Sequence, residues 1–203
     1  PLTLEVQRYI LPEPGEWSYH LDLWQHPTAV ARAEGLELWS DAHFEALQRN
    51  MMLLANAGQK VITATLNKDP WNHQCYDGYA PMIEWRLRSD GSWSYNYDIF
   101  DRWVEMMMNL GIDKMINCYS MIPWNCELEY FDEAKGEVVT VVANPGTPAF
   151  VELWHPCLLD FKSHLSDKGW LGITNIAVDE RAPEQMDAAV ELLAECAPEM
   201  GFA

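Results

Sequence analysis

The feature that most constrains this chain is a parity inside its short apolar strands. Successive side chains of a strand point to opposite faces of a sheet. One parity reads His20, Asp22, Trp24, then Thr63, Thr65, Asn67, then Asn117, Tyr119, then Asn175, Ala177, Asp179. The other reads Leu21, Leu23, then Ile62, Ala64, Leu66, then Ile116, Cys118, then Ile176, Val178. One face is therefore apolar and packs under helices, while the other is polar in all four strands. An open doubly wound sheet carries helices on both faces and is apolar on both. A barrel with a hydrogen-bonding lumen, suited to a polar ligand such as a sugar, accommodates the pattern. The barrel interior in this class is more often filled by branched apolar residues.

The strands alternate with helical patterns, which argues for parallel βαβ units. Strands are expected at Tyr19 to Trp24, Lys60 to Leu66, Lys114 to Tyr119 and Ile173 to Val178. Helices are expected at about Asp41 to Asn56, Asp98 to Leu110, Pro148 to Lys168 and Pro183 to Met200, closed by Gly58, Gly111, Gly169 and Gly201. The long loops after the second and third strands each have room for a hairpin, one around Asp90-Gly91 and one pairing Glu127–Tyr130 with Val138–Val142. Residues 1–15, with Pro12, Pro14 and Gly15, read as a linker, a stray edge strand or the tail of a preceding domain, and residues 16–203 as the barrel-forming part. The fold class is α/β, of the (β/α)₈ TIM-barrel type. A complete barrel takes about 250 residues, so about four βα units make half a barrel. Such a half exposes two parallel edges, which invites a second copy or the missing C-terminal half.

Charge narrows the partners. Thirteen Lys and Arg against 31 Asp and Glu give a formal charge of −18. That balance disfavours nucleic acid and anionic membrane surfaces, and no apolar run approaches the ~20 residues of a membrane helix. The sequence begins at Pro1 with no visible leader, so the compartment is unread. The five cysteines, Cys75, Cys118, Cys126, Cys157 and Cys196, have no metal spacing and read as core thiols. No nucleophile elbow, P-loop or dinucleotide fingerprint occurs. Met106, Met107 and Met108 with Trp103 read as core.

The sharpest chemical constellation is Asp179-Glu180-Arg181, directly after the fourth strand. Barrel chemistry sits at the carboxyl ends of strands, and glycoside cleavage uses paired acids. Arg181 would hold one carboxylate ionised and separate the two pKa values. The competing reading is a helix start with acids at its positive end. After the second strand, Lys68 and Asn72 can hydrogen-bond hydroxyls and Trp71 can stack on a sugar face; a Pro70-restrained turn is the alternative. After the third strand, Tyr119 and Trp124 can line the site. Around the first strand, Trp24 offers a platform. His20, Asp22 and His26 form either a lumen hydrogen-bond network or a metal-ligand set. Trp24, His26, Lys68, Trp71, Asn72, Tyr119, Trp124 and Asn175 are the candidate substrate-binding residues. No metal and no cofactor is expected.

These clusters together carry a family resemblance. The segments LDLWQHP (21–27), WSDAHF (39–44), GQKVITATLNKDPWN (58–72), GSWSYNYDIFDRWVE (91–105), LGIDKMINCYSMIPW (110–124) and IAVDER (176–181) resemble the catalytic barrel of glycoside hydrolase family 123. The resemblance runs from about Trp17 to the last helix. It implies an exo-acting, retaining β-N-acetylgalactosaminidase of bacterial, secreted or periplasmic type. Its substrate would be a glycan with a terminal β-linked GalNAc, and its nucleophile the substrate's own 2-acetamido oxygen. By resemblance Glu180 is the general acid/base and Asp179 orients the acetamido group. The family barrel is longer than this chain and normally follows a β-sandwich domain. An inactive fragment, a carbohydrate-binding module and a metal-dependent barrel hydrolase are the other readings.

Overall fold

The computed structural model describes residues 1–203. Its centre is a parallel sheet of β1 (Val61–Thr65), β4 (Met115–Tyr119), β7 (Thr174–Ala177) and β8 (Gly201–Phe202), in the spatial order β1-β4-β7-β8. The register puts Thr63, Asn117, Asn175 and Gly201 in one row and Thr65, Tyr119 and Ala177 in another. The polar parity of the sequence is thus one continuous face. The opposite face, with Ile62, Ala64, Ile116, Cys118 and Ile176, belongs to the main hydrophobic core.

Four helices cover that apolar face: α2 (Asp41–Asn56), α3 (Asp98–Asn109), α4 (Pro148–Lys168) and α5 (Pro183–Cys196). Each has local causes. The Ser40 hydroxyl accepts from the backbone N–H of His43 and starts α2. Thr147 does the same for Phe150 with Pro148 in the first turn of α4, and Gly169 ends that helix at φ 75°. Along α3, Phe100, Trp103, Val104 and Met107 recur at helical spacing and are all buried. The Trp103 indole crosses the layers and donates to the Thr63 carbonyl at 3.0 Å.

The two long loops build a second sheet. The hairpin of β2 (Glu84–Leu87) and β3 (Trp93–Asn96) joins the hairpin of β5 (Glu127–Asp132) and β6 (Glu137–Val142) through parallel β2–β5 pairing, in the order β3-β2-β5-β6. Both hairpins were expected; their fusion was not. Carboxylates set the turns. Asp90 accepts from the Ser92 N–H and hydroxyl, and Asp132 from the N–H groups of Ala134 and Lys135.

Four local expectations are corrected. The segment Tyr19 to Trp24 is not a regular strand and forms one parallel bridge, Leu21 to Gln59. Side-chain amides replace its ladder: Gln59 bonds the N–H and C=O of Leu23, while Gln25 reaches the Leu23 and Val61 carbonyls and the Thr63 N–H. A short helix, α1 (Pro27–Glu34), follows where a loop was expected, opened by Pro27 and closed by Gly35 at φ 66°. Helix α5 ends at Cys196 rather than near Met200, and Gly201–Phe202 pairs with β7 as a strand instead of only closing the helix. Of the five cysteines, Cys75 is exposed and the other four are buried. Residues 1–13 are exposed and without regular structure.

Candidate active site

The acids stand where β7 gives way to loop. Asp179 is half-buried and Glu180 exposed. Neither caps the helix that follows: the N-cap of α5 is Ala182, with no side-chain cap. The helix-start reading of the pair therefore finds no support in the local hydrogen bonding. The Trp124 indole, delivered by the loop after β4, donates to Asp179 Oδ2 at 2.8 Å.

Arg181 has a different role from the one expected. Its Nε donates to the Ile122 carbonyl at 3.1 Å, its Nη2 donates to the Pro123 carbonyl, and its guanidinium lies 4.6 Å from the centre of the Trp124 ring. Burial lowers its pKa, opposed by Cys126 and Asp179. Rather than pairing with a carboxylate, Arg181 clamps the 122–124 loop to the end of β7 and so holds Trp124 against Asp179.

Four aromatic rings close over the polar face. Trp71 lies 5.1 Å from Trp24, 4.8 Å from Tyr119 and 4.4 Å from Tyr79, centroid to centroid. Trp71 and Tyr119 are buried, whereas Trp24 is 47% exposed. The accessible platform is therefore Trp24, and Trp71 backs it rather than offering an open face of its own. The Tyr119 hydroxyl titrates well above its usual value because it is buried, with Asp22 and Asp179 adding to the effect. His26 is held in the same wall. It stacks on Tyr79 at 3.6 Å, its Nδ1 accepts from the Ala29 N–H, and its Nε2 donates to the Asp77 carbonyl at 2.8 Å.

The loop after β1 is organised by Asp69, which sequence reasoning left without a role. Its carboxylate accepts from the N–H groups of His73 and Tyr79, and its own N–H donates to the Tyr79 carbonyl. Asp69, Asn72 and His73 all have positive φ, at 43°, 47° and 60°. Strained backbone of this kind concentrates at functional sites. Asn72 and Lys68 line a polar hollow of about 100 Å³ with Asn125 and Glu127. Lys68 pairs with Glu129 at 2.8 Å. The same two residues border a larger groove of about 300 Å³ that runs along β2 and β5.

On the floor of the lumen, Asn175 donates to Asn117 Oδ1 at 2.9 Å. Asp22 has one carboxylate oxygen buried without a partner, and burial raises its pKa against the lowering effects of His20, Asn117 and Gln59. No group of three His, Cys, Asp or Glu side chains comes together in a metal-binding arrangement, so His20, Asp22 and His26 do not form the metal-ligand set considered from sequence.

Comparison with known proteins fits this geometry. The family model for the catalytic domain of glycoside hydrolase 123 matches residues 24–203. The chain belongs to glycoside hydrolase family 123. Among solved structures it is similar to a family 123 glycoside hydrolase from Clostridium perfringens, described for glycolipid glycan hydrolysis, with 34% identity and a TM-score of 0.88. That match covers 93% of this chain and 34% of the other, so the chain spans about a third of the length of that enzyme. No curated protein matches the chain. The family 123 match includes the loops bearing Trp24, Trp71 and Trp124 and both acids.

Proposed function

We propose that this domain carries the reaction of an exo-acting, retaining β-N-acetylgalactosaminidase, in which the substrate's 2-acetamido oxygen is the nucleophile. The observation that carries the reading is the Trp124–Asp179 hydrogen bond beside an exposed Glu180, at the carboxyl end of a parallel strand. One acid is fixed in orientation and the next is free to reach the glycosidic oxygen.

In the first step the acetamido oxygen attacks C1, the C1–O bond to the leaving group breaks, and Glu180 gives its proton to the departing oxygen. Asp179 accepts a hydrogen bond from the acetamido N–H, which orients the group and stabilises the positive charge of the cyclised oxazolinium. In the second step Glu180, now a carboxylate, takes a proton from the water that attacks C1 and reopens the ring. The acetamido oxygen attacks C1 opposite the leaving group and the water attacks opposite the acetamido oxygen, so two inversions retain the configuration. Substrate assistance removes the need for a second protein carboxylate about 5 Å away on the far face.

The remaining side chains bind and shape. Trp24 stacks on the sugar ring, backed by Trp71 and Tyr119. Asn175 hydrogen-bonds hydroxyls from the lumen floor, Lys68 and Asn72 do so from the rim, Trp124 positions Asp179, and His26 locks the Tyr79 side of the wall. The test is a thiazoline mimic of the cyclised intermediate. Asp179→Asn is expected to weaken its binding at least tenfold, about 1.4 kcal/mol. Unchanged affinity would remove Asp179 from the acetamido group.

A further inference from the structure

We propose that the outer edge of β6 pairs with the same edge of a second copy of this chain, joining the two β3-β2-β5-β6 sheets across a two-fold axis. β6 is the outermost strand of that sheet. Just past its end, the N–H of Ala143 donates to the Cys126 carbonyl at 2.8 Å, continuing the β5–β6 register by one pair. Antiparallel ladders alternate between bonded and non-bonded pairs. Val141, Val139 and Glu137 therefore bond to β5, while the N–H and C=O groups of Val138, Thr140 and Val142 point away from it. The side chains of those same three residues are exposed, Val138 at 62% and Val142 at 58%.

An unpaired edge is a template for another strand, and chains commonly blunt it. The other sheet edges here are short or engaged. Gln25 and Gln59 side-chain amides bond the Val61 carbonyl and the Thr63 N–H of β1. β8 has two residues, and β3 has four and packs against α4. β6 has six, and Glu137 is followed by Val-Val-Thr-Val-Val with no Lys, Pro or Gly to deter pairing. The strand that fits this edge is β6 itself. Antiparallel pairing centred on Thr140 sets Val138 against Val142 of the second copy, Val139 against Val141 and Thr140 against Thr140. All are β-branched pairs that suit a sheet. Glu137, the one ionisable side chain of β6, falls opposite Ala143, so no like charges face each other along the strand although each copy carries −18. Each copy offers one such edge, so the contact closes at a dimer. A single paired strand is smaller than a standard interface of about 800 Å² a side, so a dissociation constant of about 10–100 μM is expected.

Sedimentation equilibrium of the whole chain tests this. The average mass should rise from that of one chain toward that of two between about 10 μM and 1 mM. The rise should steepen with added salt, which screens the −18 on each copy. Val138→Lys combined with Val142→Lys sets like charges opposite each other across the axis and should weaken the dimer at least about tenfold. Val138→Lys combined with Val142→Glu sets opposite charges there and should keep the dimer within about threefold of the parent. Both positions are exposed, so neither pair of changes disturbs the core. The double-lysine variant carries less net charge than the mixed one, so general repulsion alone would give the reverse order. A monomer at every concentration overturns the proposal. So does a dimer that both variants leave intact, or one that the double-lysine variant holds better than the mixed one.

Discussion

Trp124 and Asp179, on loops that follow different strands, are joined by an indole-to-carboxylate hydrogen bond of 2.8 Å. It fixes one carboxylate oxygen of Asp179 in place. Trp124→Phe keeps the ring and deletes the donor. Removing a hydrogen bond to a charged group is worth about 1.5–3 kcal/mol, so kcat/KM should fall about 10- to 100-fold at 1.36 kcal/mol per decade. Steady-state kinetics beside a thermal melt checks this: a full-rate variant would show that the bond is not used.

Arg181 should prove structural. Arg181→Met removes two charged donors from the Ile122 and Pro123 carbonyls and the cation from the Trp124 ring. A loss of about 2 kcal/mol is expected in chemical denaturation. Arg181→Lys should restore little of it, because an ammonium cannot reproduce the planar fork.

Trp103 reports the coupling of helix to sheet. It is fully buried and donates to the Thr63 carbonyl. Trp103→Phe leaves that carbonyl unsatisfied and a cavity beside β1, and should cost about 2–4 kcal/mol. Urea unfolding measures it; a cost near zero would mean that the layer repacks.

Asp22 predicts a pH dependence. Burial raises its folded pKa above the ordinary 3.8, against the lowering effects of His20, Asn117 and Gln59. A carboxyl with a raised folded pKa binds its proton more tightly in the native state. The stability this gives is full below 3.8 and is lost as pH rises through the folded value. Asp22→Asn removes the titration. The variant should therefore gain stability relative to the parent as pH rises above 3.8 and through the folded value. Denaturation midpoints of both proteins across that range decide it, and parallel curves would contradict the prediction.

Strand parity alone makes the polar face of the sheet legible. Thr63, Asn117 and Asn175 fall in one register row because period-two alternation is local and parallel pairing preserves it. Gly58, Gly111 and Gly169 marked helix ends because each has a positive φ. What escaped was non-local. The fusion of two hairpins through Arg86–Phe131 pairing joins segments that share no sequence signal. Gln59 and Gln25 replaced a ladder with side-chain amides, a substitution that strand patterns do not encode. Trp71 was expected to face a sugar, but the number of rings crowding it depends on where Trp24, Tyr79 and Tyr119 arrive. Helix α1 is short, and only Pro27 and Gly35 marked its ends. Arg181 sits beside two acids in sequence, yet its neighbours in space are carbonyls.

The most direct test of the acid pair is leaving-group dependence in Glu180→Gln. A proton donor matters for a sugar leaving group and hardly at all for a dinitrophenolate. The variant should lose at least about a hundredfold in kcat/KM on a glycan ending in β-GalNAc while keeping most of its rate of oxazolinium formation from the dinitrophenyl β-GalNAc glycoside. Equal losses on both substrates, or none on either, would contradict the role given to Glu180.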